Sequence, residues 1–253
     1  MKDMNKKILF FVWILAALYA CEDVFEPAVE NHRDLESMQE EPNFATGLLY
    51  NGYTRIPTNG WSYSEMGTDD AVSNDPTHGF FRIGSGQWAS NNNPLDQWTN
   101  SRAAIQYMNI TLAEADNIKF SDDSLVNEMF RDRTKGEAYG LRALFMYHLL
   151  QAHGGYAGGE LLGVPIILEP EDPFSEFNKP RASFEACMQQ LYSDIDMAIE
   201  LLPVDYGDIN STSDIQPKYL EKGAGVGDYN RVFGNAVKLR FTERIALAVR
   251  AKA

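Results

Sequence analysis

The chain is poor in several residue types, and each shortage excludes a class of protein. Two cysteines in 253 residues, Cys21 and Cys187, are too few for the disulfide framework of small secreted scaffolds. Four histidines offer few of the nitrogen ligands that transition-metal centres use. Positive charge is also short: 22 Lys and Arg stand against 36 Asp and Glu, a net charge of −14. Such a surface repels phosphate backbones and anionic lipid, so no nucleic-acid partner is expected. The longest apolar run, Ile8–Ala20, has 13 residues, short of the roughly 20 that span a bilayer as a helix.

What is present points outward. Lys2, Lys6 and Lys7 precede that apolar run, which ends in Leu18-Tyr-Ala-Cys21. A basic start and a short apolar core read as a signal peptide over residues 1–20. A small residue directly before cysteine, with Leu18 three before it, resembles the lipobox of bacterial lipoproteins, so Cys21 is the expected lipidation site. Acylation of Cys21 would leave Cys187 without a disulfide partner and stability to packing alone. Glu22-Asp23 follow, and acidic residues there resemble a surface-export signal. Residues 21–41 read as a lipidated tether.

From residue 42 to 253 the pattern is helical. Pro42 suits a first helical turn, and Phe44, Leu48, Leu49, Tyr53 and Ile56 follow at helical spacing until Pro57. Residues 58–93, rich in Gly, Asn, Ser and Asp, read as loop. Asn93-Pro94 is expected to open a second helix carrying Ile105, Met108, Leu112 and Ala115 on one face. Ser121-Asp-Asp-Ser124 caps a third that runs to Gly154-Gly155. Gly136 and Gly140 lie inside it, each costing about 1 kcal/mol relative to Ala, which predicts another helix packed on bare backbone. Ser183 caps a fourth helix, and Cys187, Leu191, Ile195, Ala198 and Leu202 share its apolar face. Residues 204–230 read as loop, and Val237, Phe241, Ile245, Ala248 and Val249 as a last helix.

Three stretches carry a resemblance. Gly136–Leu168 reads GEAYGLRALFMYHLLQAHGGYAGGELLGVPIIL; Trp98–Asn117 approximates a Trp-x(3)-Tyr-x(2)-Ile helix; Lys179-Pro-Arg-Ala-Ser-Phe-Glu-Ala leads to Ala-Ile-Glu-Leu-Leu-Pro203. Together with the lipobox they resemble the SusD/RagB family of nutrient-binding lipoproteins of Bacteroidetes, from Cys21 to Ala253. The resemblance implies a mostly α fold of tetratricopeptide-like helical pairs, a solenoid scaffold with long irregular loops and few short strands. It also implies a chain incomplete at its C-terminus, because family members are longer and Ala246–Lys252 resembles the start of a further helix. No clean repeat of about 34 residues is visible, so the solenoid expectation rests partly on the family.

Enzyme chemistry finds little support. Asp194 and Asp196 are two apart on a helix and face different ways, unlike the paired carboxylates of a glycosidase. His148 and His153 lack metalloprotease spacing. Gly223-Ala-Gly-Val-Gly227 follows no strand, unlike a nucleotide loop, and reads as a flexible loop. Asp205, Asp208, Asn210 and Asp214 are oxygen-rich but not in EF-hand order. Neither a metal nor a cofactor is expected. Arg133 and Glu137, four apart, are expected to pair, with Arg142 also structural.

Binding is the remaining class. Trp61, Tyr63 and Trp88 offer flat rings for sugar faces, and Asn91 and Asn92 offer amides for hydroxyls; Trp98 is assigned to the helix core. The resemblance implies a protein at the outer face of the outer membrane that captures oligosaccharides and passes them to a SusC-like TonB-dependent transporter. Its alternatives are a peptide binder of RagB type and a helical-repeat scaffold that only docks on the transporter. Cys21→Ala is expected to abolish palmitate labelling and membrane retention; labelling that persists in the variant would refute the anchor.

Overall fold

In a computed structural model, the structure describes residues 39, 41–57, 64–87, 93 and 96–253. All of them lie in one compact unit, Leu35–Ala253. Among them are eight α-helices: α1 Pro42–Tyr53, α2 Gly79–Gly84, α3 Trp98–Glu114, α4 Ser124–His153, α5 Phe184–Leu201, α6 Pro217–Leu220, α7 Val226–Phe233 and α8 Glu243–Lys252. Two short strands, β1 Gly155–Ala157 and β2 Glu160–Leu162, form an antiparallel hairpin. The mostly α expectation holds.

Helix α4 is the axis. Its 30 residues give a rod about 45 Å long at 1.5 Å per residue. It packs against α1, α3, α5, α7 and α8. Local chemistry starts it as expected: the Asp123 carboxylate accepts from the backbone N–H of Leu125 and Val126, both at 2.9 Å, supplying two of the orphan donors of a first turn. Helix α3 runs antiparallel to it. Gln97, just before α3, meets His153 at the end of α4, whereas Asp116, just after α3, pairs with Lys135 nearer the start.

Helix α5 is antiparallel to α4 in turn, with Asp194 against Arg142 and Leu202 against Gly136. The Ser183 hydroxyl caps α5 by accepting from Ala186 N, and Glu185 in the first turn complements the helix dipole. Cys187, Leu191, Ile195 and Ala198 face the core. Helix α8 lies against α5. Consecutive antiparallel helices buried face to face are the unit of helical-pair scaffolds.

The structure corrects five expectations. Helix α3 begins at Trp98, not near Pro94, because Asp96 and His153 already hold the backbone there in a turn. The stretch 64–87 contains a 3-10 turn at Ser64–Gly67 and helix α2, within what read as loop. Residues 204–230 are not a plain loop but include α6 and the start of α7. Tyr206, Tyr219 and Tyr229 there gather on Phe233 with ring centroids 4.9–6.3 Å apart, all at most 4% exposed. Tyr229 and Phe233 are one turn apart on α7, and Tyr206 and Tyr219 join them from outside that helix. The Gly223–Gly227 stretch is the turn into α7, with Gly223 at φ +89° and Gly225 at the N-cap. The last helix starts only at Glu243, capped by Thr242, so Val237 and Phe241 are core residues ahead of it.

The helix glycines also have a different explanation in part. A methyl on Gly136 would meet Leu202 and Leu201 at the end of α5, as a packed helix predicts. At Gly140 the neighbour is instead the Phe241 ring, with a Cβ falling 2.2 Å from its edge. Gly140→Ala is therefore expected to destabilise the fold by about 2 kcal/mol through overpacking. Phe241→Leu should recover part of that loss in the Gly140→Ala background, although costly alone. Additive losses in urea unfolding would sink this account.

Candidate functional site

One end of the helical pair collects side chains that the rest of the structure would be expected to bury. There α3 starts, α4 ends, the β-hairpin projects and a loop returns toward α5. Arg181 fastens these pieces together. Its guanidinium donates to three carbonyls: Gly163 O at 2.7 Å, His153 O at 2.9 Å and Leu162 O at 3.0 Å. Asn93 adds a bond from its amide to Ala152 O at 3.4 Å. The hairpin turns on Gly158 and Gly159, at φ +62° and +88°, the conformation that a two-residue turn requires. Tyr156 faces Leu161 across it.

The loop after the hairpin is held by α3. The Asn109 amide donates to Ile167 O at 3.1 Å and Glu169 O at 3.0 Å. Gln106 makes a two-way bridge with the Glu171 backbone, donating at 2.7 Å and accepting at 2.9 Å. The Glu171 carboxylate meets Arg102 at 3.1 Å and Lys179 at 3.5 Å. Behind Asn109 stands Arg142, which donates to its Oδ1 at 2.9 Å and grips Asp194 with two bonds of 2.8 and 2.6 Å. Arg142 and Asp194 are both buried, so each charge needs the other.

These supports leave four aromatic rings at that end facing solvent: Trp98, Tyr156, Phe174 and Phe177. Trp98 corrects an expectation. Assigned to the core, it is 41% exposed, because it occupies the first turn of α3 where the packed pair ends. His153 braces the ring edge-on at 5.4 Å, and the His153 Nε2 lies 3.1 Å from the Asp96 carboxylate. Trp61, Tyr63, Trp88, Asn91 and Asn92 lie outside the described residues, as does Cys21. In the sequence, Asn91 and Asn92 directly precede Asn93, and Trp88 is five positions before it. Sequence reasoning passed over Tyr156, although Gly158-Gly159 beside it was a hairpin signal. Phe174 and Phe177 had no periodic pattern to mark them.

The remaining chemistry-bearing groups are used in packing. Glu137 is fully buried and accepts from Tyr53 Oη at 2.6 Å and from Tyr206 Oη at 3.3 Å. It also pairs with Arg240 at 3.3 Å and, as its spacing predicts, with Arg133 at 3.5 Å. Burial, reinforced by the Glu137 charge, holds both tyrosine hydroxyls well above their usual pKa. Burial pushes His148 below its usual value, helped by Lys252, and its ring rests against Tyr147, away from the Asp96 contact of His153. Asp194 turns inward to Arg142, and Asp196 outward to Arg250. Asp205 pairs with Arg244 and Asp208 with Asn235, so these loop oxygens do not converge. Among the described residues no group of three or more His, Cys, Asp or Glu is placed to share a metal.

The architecture is a helical scaffold that ends in exposed rings braced by polar side chains. The family model described as "Starch-binding associating with outer membrane" matches residues 31–215, and the chain belongs to this SusD-like family. Solved structures with this fold include a SusD-like protein from Bacteroides fragilis, 18% identical, covering 89% of this chain and 36% of its own, with a TM-score of 0.64. A laminarin-binding SusD-like protein is 21% identical over 83% of this chain and 39% of its own, at 0.57. Surface glycan-binding protein A from Bacteroides fluxus is 13% identical, with the same coverages, at 0.54. The chain thus spans well under half the length of these structures. Comparison with curated proteins finds no match. Among the described residues no helix is long and apolar enough to cross a membrane.

Because Arg142 links α3, α4, α5 and the returning loop, Arg142→Met is expected to cost about 3–5 kcal/mol by stranding Asp194. Adding Asp194→Leu should restore much of it. A double variant no more stable than the single one would refute the pairing.

Proposed function

We propose that this protein is a lipid-anchored, surface-exposed glycan binder that delivers oligosaccharides to a SusC-like TonB-dependent transporter in the outer membrane. It binds its ligand and breaks no bond in it. Membership of a family described as starch-binding and outer-membrane-associated supports the ligand class and the location. The lipobox at Cys21 supports the anchor, with residues 1–20 as signal, 21–41 as tether and 42–253 as the helical domain.

One observation carries the reading: exposed Trp98, braced edge-on by His153 beside Asp96, stands at the end of α4 to which Asn93 bonds, and exposed Tyr156 lies on the hairpin that follows α4. Flat rings stack on the apolar faces of pyranoses, and carboxylates and amides meet their hydroxyls; pockets for polar ligands combine both kinds of group. Trp61 and Tyr63, named by the sequence, are further candidate ring contacts for the ligand. In this reading the scaffold only positions the rings, which explains why its buried charges all face one another.

Calorimetry of the anchor-free protein with starch and laminarin oligosaccharides tests the proposal. Trp88→Ala and Trp98→Ala should each weaken binding about tenfold while leaving the melting temperature within a degree or two. A lower melting temperature with unchanged affinity would return either tryptophan to the core. Affinity for oligopeptides with none for glycans would favour the RagB-type alternative. Binding of neither, with retained transporter association, would favour a docking scaffold.

A further inference from the structure

One nitrogen of the imidazole that braces Trp98 stands between two partners with opposite needs. His153 Nε2 lies 3.1 Å from the Asp96 carboxylate, which needs an N–H from it. The same atom accepts from the backbone N–H of Gln97 at 3.4 Å, which needs its lone pair. A ring nitrogen supplies one or the other, never both. Neutral imidazole with its proton on Nδ1 serves Gln97 and leaves Asp96 to its other contact, the Trp98 N–H at 2.9 Å. Imidazolium serves Asp96 and leaves the Gln97 N–H without its acceptor. Asp96 and Gln97 form the entry to α3, so the choice falls on the backbone that carries Trp98. The indole itself meets the imidazole edge-on, with ring centroids 5.4 Å apart.

The surroundings allow either state. His153 is the last residue of α4, where the helix dipole favours a cation, and Asp96 adds a negative charge from the entry to α3. Arg181, from the entry to α5, opposes both, with its guanidinium on the His153 carbonyl at 2.9 Å. The hairpin brings exposed Tyr156 and Glu160. The His153 side chain is 23% exposed, so it exchanges protons with solvent in the folded protein.

We propose, resting on the glycan reading of Trp98, that His153 is a positioning residue of the ligand site and that its protonation sets the affinity. In the neutral state Asp96 caps the first turn of α3 and keeps its remaining lone pairs for a sugar hydroxyl beside the ring. In the charged state the imidazolium engages that carboxylate. The acceptor is occupied, its hold on the Trp98 N–H is shared, and the Gln97 N–H is released. Affinity therefore falls on acidification, over the range where histidine side chains ordinarily titrate.

The test uses the full chain in detergent, followed from about pH 8 to about pH 5. Two quantities are measured: the Gln97 amide signal by NMR without ligand, and the calorimetric affinity for starch and laminarin oligosaccharides. The Gln97 amide proton should shift with the same midpoint as the His153 ring protons. Affinity should fall about fivefold across that midpoint, the scale of one charge-assisted contact at an exposed site. His153→Gln separates position from charge, because its amide can accept from Gln97 and donate to Asp96 together and does not titrate. Its affinity should be flat over the series. A Gln97 amide indifferent to His153 protonation would overturn the inference and leave the glycan reading standing. So would a flat affinity in the unaltered protein, or a fall that persists in His153→Gln. Absence of glycan binding at every pH would remove the glycan reading and this inference with it.

Discussion

A helix enclosed by five others has to place its charges against one another, and that constraint organises this molecule. Helix α4 carries Arg133, Glu137 and Arg142 into its interior, all at most 6% exposed. Left single, any of them would cost several kcal/mol. Each therefore recruits a partner from a different part of the chain. Glu137 draws in Tyr53 from α1, Tyr206 and Arg240 from the segment after α5; Arg142 draws in Asp194 from α5 and Asn109 from α3. Arg133 donates to Val232 O in α7. These bonds are directional, so they set which helix lies where along α4, while apolar burial supplies most of the driving force.

Order at the surface follows from that interior. Asn109, positioned by Arg142, reaches on to the carbonyls of residues 167 and 169, and Gln106 one turn away holds residue 171. The loop that carries Phe174 and Phe177 is thus registered against a buried ion pair through one amide side chain. The hairpin and the end of α4 are tied by Arg181 instead. The result is an end face braced by side-chain hydrogen bonds, with Trp98, Tyr156, Phe174 and Phe177 exposed. Such bracing suits recognition, because side chains already held in place lose little entropy when a ligand or partner arrives.

Much of the scaffold was legible because it is written in local chemistry. Asp123 and Ser183 mark helix starts by accepting from neighbouring N–H groups, Pro42 does so by its fixed φ and missing N–H, and the 3–4 spacing of Cys187, Leu191, Ile195 and Ala198 marks a buried face. The start of α3 was misplaced because the capping signal at Asn93-Pro94 competes with a turn made by Asp96 and His153, and His153 is distant in sequence. The Tyr206–Tyr219–Tyr229–Phe233 cluster escaped for the same kind of reason: Tyr206 and Tyr219 meet the α7 rings only after folding, and the i, i+4 pair on α7 is too short a signal alone. Gly140 announced a close approach, but its partner, the Phe241 ring, comes from an irregular segment a hundred residues later. Trp98 was placed in the core because it belongs to a helical motif, although a motif does not say where along the helix the packing ends.

By itself, then, the sequence determined the helical class, the starts of α1, α4 and α5, the acidic balance of charge, the lipobox-like run that ends at Cys21, and the likeness to SusD/RagB proteins later matched by the family model over residues 31–215. These depend on contacts within a few residues or on composition, and both survive in a linear string. Only the tertiary structure decided that Glu137 and Arg142 are satisfied rather than available, and that Trp98, Tyr156, Phe174 and Phe177 face solvent. Exposure and pairing are properties of what lies across the fold from a residue, and the chain brings those neighbours from as many as a hundred positions away.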